Sequence, residues 1–450
     1  MTFFIKTYGC QMNVRDSEAV AAQLLAAGHE LADSEQHADL VIVNTCSVRQ
    51  KAEDKALGKL GLLVAAAGDR SPRRRVGVIG CMVQRLGIAI FERVPGLDFA
   101  IGTRRLSTVA RVVARVKGGE GPILDADPDP VDEEEPVGHV PGAVTRFVNI
   151  LYGCDRRCSY CIVPDVRGHE RSRPAEDVLS EIRSLVADGV SEVTLLGQSV
   201  MQYGRRNPAW AAPPGPGEPC EPLPRLLHAT NGIDGLRRVR FTTGHPSGCT
   251  EELAKVMAEA PRVCPHLHLP LQSGSDRVLA RMRRGYTTAE YRAAVARLRS
   301  AVPGIAITTD VIVGFPAERI EDFEDTRRFL NEMGFDNAFI FKYSPRPNTA
   351  AAAWTDDVPA EEKLRRNKVL LAEQDRRSEK INGALVGREV EILVEGVSQR
   401  NVNRWSGRTG TNKITVFEPR AGLRPGDPAA VRIERVTAQT LYGALCRGTR

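Results

Sequence analysis

The chain has 450 residues, of which 42% are hydrophobic and 26% charged, and it carries a net charge of +6. That length predicts two or three domains at about 150 residues each. No apolar run reaches the roughly 18 residues of a membrane-spanning helix, and M-T-F-F-I-K lacks the basic start of a secretory signal. A cytoplasmic protein is expected, and its ten cysteines then point to metal or redox chemistry in a reducing compartment, not to disulfides. The mild positive charge permits an anionic partner without requiring one.

Residues 1–118 alternate short apolar runs with helical patterns. Residues 3–7, 40–44 and 76–80 read as buried strands, and 17–27, 49–66 and 105–116 as helices. This is the pattern of an open parallel α/β sheet. Cys10, Cys46 and Cys81 each follow one of the three strands. Loops at the carboxyl ends of such strands share one edge, where ligands bind. The three thiols are therefore expected to meet and to hold a three-cysteine iron–sulfur cluster with one open iron. The bland alternative is three small buried residues.

Residues 119–143 contain D-A-D-P-D-P-V-D-E-E-E and read as an acidic linker. Residues 144–376 then repeat strand and helix six times, with strands at 147–151, 192–197, 237–242, 266–270, 306–313 and 337–343. Six units predict an incomplete (β/α)6 barrel, short of the eight that close. Residues 203–220, rich in Pro and Gly, read as a surface insertion. The first strand ends in Y-G-C-D-R-R-C-S-Y-C, which places Cys154, Cys158 and Cys161 at C-x3-C-x2-C. Three thiolates on one loop can bind three corners of a 4Fe–4S cluster, which normally takes four cysteines. A zinc knuckle completed by His169 is the alternative. The barrel rule puts the active site at the carboxyl ends of the strands. Gln198, Gln272 and Ser273 fall there and are the expected cofactor contacts. His245, His266 and His268 show no two-histidine metal spacing and read as packing residues, and Cys220, Cys249, Cys264 and Cys446 as bystanders.

Residues 377–447 change to short alternating runs broken by Gly, Pro and Asn, the pattern of a small all-β barrel. Between its strands, residues 400–413 read as a basic loop with one aromatic: Arg400, Arg404, Trp405, Arg408 and Lys413. Such a stretch suits phosphates and a stacked base, although a solvated loop has the same composition.

Taken together, these motifs resemble a known family. The C-x3-C-x2-C loop is similar to that of the radical S-adenosylmethionine (SAM) enzymes, where the residue before the third cysteine, here Tyr160, is usually aromatic. T-Y-G-C-Q-M-N, N-T-C-S-V-R, G-C-M-V-Q, R-G-H-E-R-S-R-P, H-L-P-L-Q-S-G-S and T-D-V-I-V-G-F-P extend the likeness to the methylthiotransferases of the MiaB type. The C-terminal segment resembles a TRAM domain, an RNA-binding module. The resemblance implies a tRNA-2-methylthio-N6-dimethylallyladenosine synthase activity on isopentenylated adenosine beside the anticodon. It implies two 4Fe–4S clusters, one on Cys154, Cys158 and Cys161 and an auxiliary one on Cys10, Cys46 and Cys81. It further implies SAM as cofactor and methyl source, an electron donor as partner, and a monomer. Rival readings are the same chemistry on a ribosomal protein or on threonylcarbamoyl-adenosine tRNA, and an RNA-binding protein with structural metals only. The chain departs from the family at Asp165, at Ser199 to Met201, at Gly244, at Ala317 and at Asn348. Ala317 and Asn348 stand where the family has glycine.

Overall fold

The computed structural model describes residues 1–47, 50–68, 73–127 and 138–446. The N-terminal unit is built in the order β1 (Thr2–Tyr8), α1 (Gln11–Ala26), β2 (Glu30–Leu31), β3 (Leu40–Thr45), α2 (Gln50–Ala67), β4 (Arg75–Gly80), α3 (Cys81–Leu86), α4 (Ala89–Arg93), β5 (Phe99–Ile101), α5 (Val109–Lys117) and β6 (Ile123–Asp125). Its sheet is parallel, with strand order β2-β1-β3-β4-β5-β6. The L-V-I-V run of β3 is continuous because both of its faces are covered. Leu40 and Ile42 pack with Val20, Leu24 and Val112 on one side. Val41 and Val43 pack with Leu60 and Ile90 on the other.

Two readings change here. The segment 119–143 is not all linker: Ile123–Asp125 pairs with β5 as the edge strand. Asp125 accepts hydrogen bonds from Arg105 (2.5 Å) and Thr108 (2.7 Å). Most of its acidic run lies outside the described residues. The helix expected over 105–116 begins as a tighter turn at Thr103–Thr108, and only then becomes α5.

The middle unit runs β7 (Thr145–Asn149), β8 (Leu151–Tyr152), α6 (Val163–Arg167), β9 (Arg171–Ser172), α7 (Ala175–Ala187), β10 (Glu192–Leu196), α8 (Pro222–Asn231), β11 (Arg238–Thr242), α9 (Glu251–Glu259), β12 (His266–His268), α10 (Asp276–Arg281), α11 (Thr288–Ala301), β13 (Ala306–Val313), α12 (Ile320–Met333) and β14 (Asn337–Lys342). Its strands form two three-stranded parallel halves, β7-β10-β11 and β12-β13-β14. A lone bridge between Val239 and Val263 and the Gly244 N–H to His268 O bond (2.9 Å) link them. The six strands are those expected, but the ladder is interrupted between β11 and β12. Thr250 and Thr287 cap α9 and α11 through their hydroxyls.

Helix α13 (Ala360–Gly383) leads into β15 (Glu389–Ser398), β16 (Asn401–Thr409), β17 (Ile414–Phe417), β18 (Pro428–Val436) and β19 (Thr440–Leu445). They close in the order β15-β16-β17-β19-β18, around Ile392, Phe417, Val431 and Leu441. The stretch 400–413 is thus mostly strand β16, not a loop, because its polar residues alternate on a barrel wall. A domain boundary at 376/377 would cut α13.

The barrel docks on the amino ends of the middle strands. Arg240 binds Glu192 (2.9 Å) and also the carbonyls of Thr409 (2.8 Å) and Gly410 (2.9 Å). Lys413 binds Asp336 at 2.8 Å. The N-terminal unit docks through Glu181 of α7, which meets Arg15 (3.3 Å), His139 (2.7 Å) and Arg173 (2.5 Å).

Burial works against the Glu181 carboxylate, but His139, Arg173 and Arg15 outweigh it and hold it at about 2. A depressed carboxyl contributes stability above its unfolded value, and that contribution is lost as pH falls through the folded value. The shift corresponds to roughly 3 kcal/mol. The contact between the N-terminal and middle units should therefore weaken as pH falls from about 4.5 to about 2. Urea midpoints measured across that window should drop, and Glu181→Gln should flatten the drop.

Candidate active site

The first cysteine loop leaves β8 through Gly153, at φ +66°. A Cβ on Gly153 would lie 2.0 Å from the His169 carbonyl oxygen, so only glycine allows the turn. The loop is pinned by Cys154 N–H to Gly168 O (3.1 Å) and Ser159 N–H to Met282 O (3.0 Å). The Arg156 backbone lowers Cys154 and the Val163 backbone lowers Cys161, each against burial. Burial pushes Cys161 up to about 12, with Cys158 adding to it. Arg284, itself buried, donates to the Cys158 sulfur (3.2 Å) and to the Tyr160 hydroxyl (3.4 Å). His245 bonds the Arg284 carbonyl (3.3 Å) and Ser247 (2.8 Å). Burial, with Arg156 and Arg284 nearby, holds His245 neutral by pulling it down to about 2.

The second set comes from neighbouring strands, since β1, β3 and β4 lie side by side. Cys10 caps α1, which places its sulfur at the positive end of a helix dipole. The Asn13 amide donates to that sulfur, and Asn13 Oδ1 accepts the Cys10 N–H at 3.2 Å. Asn13 and Asn44 then lock the loops together through Asn13 Nδ2 to Asn44 Oδ1 (3.1 Å) and Asn44 Nδ2 to Asn13 O (2.8 Å). Contact with Cys46 pulls Cys10 down to about 5 against burial, with help from the Arg167 charge. Burial pushes Cys81 up, and Arg167 opposes it.

Helix α6 joins the two sets. It starts two residues after Cys161, and its apolar side, with Ile162 and Val166, packs on Cys81. Thr103 donates to the Val166 carbonyl. Arg167 crosses into the N-terminal unit and pairs with Asp16 at 2.6 Å.

The donor chemistry suits iron–sulfur clusters, although among the described residues no group of three or more His, Cys, Asp or Glu side chains is placed to hold a metal ion. All six are free cysteines, and neighbouring backbone lowers Cys10, Cys154 and Cys161. The alternative zinc ligand His169 has a 92% exposed ring bonded to Asp155. Unpartnered polar groups lie at the ends of β7 and β10. Asn149 Oδ1, Gln198 Nε2 and Ser199 Oγ are buried without a protein hydrogen-bond partner. Tyr160 sits on the cysteine loop against Phe315, ring centroids 6.4 Å apart. Gln272 sits at the bridge to Val311, with φ +75°.

Two expected contacts are corrected. Ser273 is fully buried, and its hydroxyl is bonded to Thr326 (3.2 Å) and the Ser275 amide (3.2 Å), so it shapes its loop. Lys413 is held by Asp336 in the docking of the barrel. In β16, Arg404 pairs with Glu418 (2.9 Å), Arg408 with Glu395 (3.0 Å), and Trp405 packs on the barrel core. Arg400 is exposed at the turn before it. Sequence reasoning missed Asn13, Arg167 and Arg284. Asn13 had a signal, the capping-box spacing from Cys10. Arg167 and Arg284 had none, because their partners lie 151 and 126 residues away.

A barrel-like half-closed sheet with three cysteines after its first strand, beside a second three-cysteine edge, defines a radical SAM enzyme with an added sulfur-ligand site. Family models agree: "Radical SAM superfamily" matches residues 148–330, "Uncharacterized protein family UPF0004" residues 2–102, and "TRAM domain" residues 383–446. In fold, the chain is similar to a radical S-adenosylmethionine methyltransferase of Kitasatospora setae, with TM-score 0.58 at 15% identity, covering 78% of this chain and 75% of that one. Over full length it is 43% identical to the tRNA-2-methylthio-N(6)-dimethylallyladenosine synthase of Moorella thermoacetica, covering 99% of each. It is 44% identical to that of Geobacter metallireducens, covering 98% of each. The chain belongs to the tRNA-2-methylthio-N(6)-dimethylallyladenosine synthase family of radical SAM methylthiotransferases.

Gly153→Ala should force the first cysteine loop open and leave the second set intact. Anaerobic reconstitution followed by iron and sulfide analysis should give about half the wild-type content, since one of two clusters would be lost.

Proposed function

We propose that this chain adds a methylthio group to C2 of an N6-isopentenylated adenosine beside the anticodon of tRNA. One observation carries the reading: two separate three-cysteine edges meet across α6, with no other side chain completing either set to four cysteines among the described residues. Cys154, Cys158 and Cys161 would hold a 4Fe–4S cluster with SAM, and Cys10, Cys46 and Cys81 an auxiliary cluster. When bound, these groups supply one-electron chemistry able to break an unactivated aromatic C–H bond, together with the sulfur to replace the hydrogen.

The protein's own part is placement. Arg284 sets a buried positive charge against Cys158, and Arg167 does the same against Cys81 and Cys10. Such charges and amide donors are the levers by which a protein tunes a cluster. Asn149, Gln198 and Ser199 offer unpartnered polar atoms to a zwitterionic cofactor. The C-terminal barrel would hold RNA, with Arg400 and Arg404 as the charges of the 400–413 stretch that the fold holds least. An electron donor is required, and a monomer in the cytoplasm is consistent with the three docked units. Among the described residues no helix is long and apolar enough to cross a membrane.

Nucleoside mass analysis of tRNA from cells lacking the gene tests the reading: unthiolated isopentenyladenosine should accumulate. Cys158→Ala should abolish reductive SAM cleavage while roughly half the iron remains. Cys46→Ala should keep that cleavage and lose methylthio transfer. A normal yield of methylthio product from Cys46→Ala would remove the second site from the mechanism.

Phosphate contacts release counterions, so tRNA binding should fall steeply with salt. Replacing Arg400 and Arg404 by Ala should reduce the log–log salt slope by about one to two units. Titrations at several salt concentrations measure it, and an unchanged slope would place the RNA on another surface.

A further inference from the structure

The concave face of β12–β14 carries residues that neither cysteine set uses. Ala338 and Ile340 point into the core with Val311 and Val313. Side chains alternate along a strand, so Phe339 and Phe341 point the other way, into the half-closed barrel. Phe339 is 47% exposed, and it is the one exposed Phe, Tyr or Trp ring among the described residues. A lone exposed apolar residue is ordinary. What sets Phe339 apart is its neighbours. Strand register puts Asp310 beside it, and Ile312 beside Phe341 one step higher. His268 stands edge-on to the Phe339 ring, with centroids 5.9 Å apart. Its ring nitrogens are fixed by Thr308 (3.0 Å) and Asp310 (3.3 Å). The second Asp310 oxygen has no protein partner among the described residues, and the side chain is 26% exposed.

The position of this patch is as informative as its chemistry. Above it, Ile312 packs in one cluster with Tyr160 of the cysteine loop. Below it, Asn337 meets Gln439 of the C-terminal barrel at 3.1 Å, next to the Lys413–Asp336 pair. β14 is an edge strand, so the face is open from the side. An aromatic ring with a carboxylate acceptor therefore lies between the docked barrel and the cysteines.

We propose that this face receives the target base itself, an N6-alkylated adenine swung out of the tRNA anticodon loop. The proposal rests on the tRNA reading above. Single-stranded bases are recognised when unstacked onto aromatic side chains and hydrogen-bonded along their edges. Phe339 stacks the purine. Asp310, oriented by His268, accepts the one hydrogen left on the alkylated N6. Holding N6 at this level turns C2, across the same ring edge, toward the cysteine loop. Phe341 and Ile312 give the base an apolar wall.

The test uses the reconstituted enzyme without reductant and two synthetic anticodon stem-loops. One carries N6-isopentenyladenosine at the target position, the other the fluorescent analogue 2-aminopurine, which has no N6. Phe339→Ala should weaken binding of the first about tenfold, the cost of one lost stack, and abolish quenching of the second. Phe339→Trp should restore both. Asp310→Asn should weaken binding of the isopentenyl RNA and leave 2-aminopurine quenching unchanged. SAM binding, measured by equilibrium dialysis, should be the same in all variants. Full quenching and wild-type affinity in Phe339→Ala would overturn the proposal, as would loss of SAM binding with RNA binding retained, which would make the face a cofactor subsite. If wild-type enzyme binds neither stem-loop, the tRNA reading fails, and this proposal fails with it.

Discussion

The buried pair between Arg167 and Asp16 is the contact on which the rest of the site depends. Each side chain belongs to a different unit, and each stands six residues from a cysteine of one of the two sets. Both are largely buried, so either alone would leave an uncompensated charge, which costs several kcal/mol. The pair therefore enforces a single docking of the two units. It also fixes α6, whose Val166 and Ile162 lie against Cys81. With Glu181 behind it, the pair holds the two cysteine-bearing units against each other.

The same logic applies at the far end. Arg240 is buried against Glu192 and spends its remaining donors on carbonyls of the β16–β17 turn. A guanidinium with each of its three nitrogens bonded to a fixed partner tolerates few alternative geometries. The C-terminal barrel is thus held against the amino ends of the strands, while the cysteines occupy the carboxyl ends.

The six cysteines were legible because their spacing and their place after apolar runs are local facts. Cys10, Cys46 and Cys81 share one edge of the sheet because the parallel strands before them lie side by side, a rule that needs no side-chain detail. Strands β5 and β6 were not legible. Each has three residues, and β6 is followed by an acidic run that hides it. Gly77 of β4 shows what the local pattern omits, since a Cβ there would lie 2.1 Å from the Phe99 ring of β5. Two departures from the family acquire a physical meaning in the structure. Ala317 and Asn348 both adopt positive φ, +65° and +67°. That is why glycine is usual there, and each non-glycine residue carries a strain of about 1–2 kcal/mol. Asn tolerates the region better than Ala does, because its side chain can bond locally.

Charge was the least transferable signal. The basic stretch 400–413 looked like an RNA contact because its positive residues are adjacent in sequence. In the folded chain most of them face carboxylates: Arg404 meets Glu418, Arg408 meets Glu395, and Lys413 meets Asp336. The pairs differ in what they allow. Glu418 is 77% exposed, so in water and salt its hold on Arg404 is weak. A phosphate, with its condensed counterions to release, can displace such a partner. Lys413 and Asp336 are 15% and 17% exposed and sit in a packed interface, where exchanging partners would mean undocking the barrel. Burial of the pair, more than the count of basic residues, therefore separates the charges left open to an anion from those that assemble the enzyme.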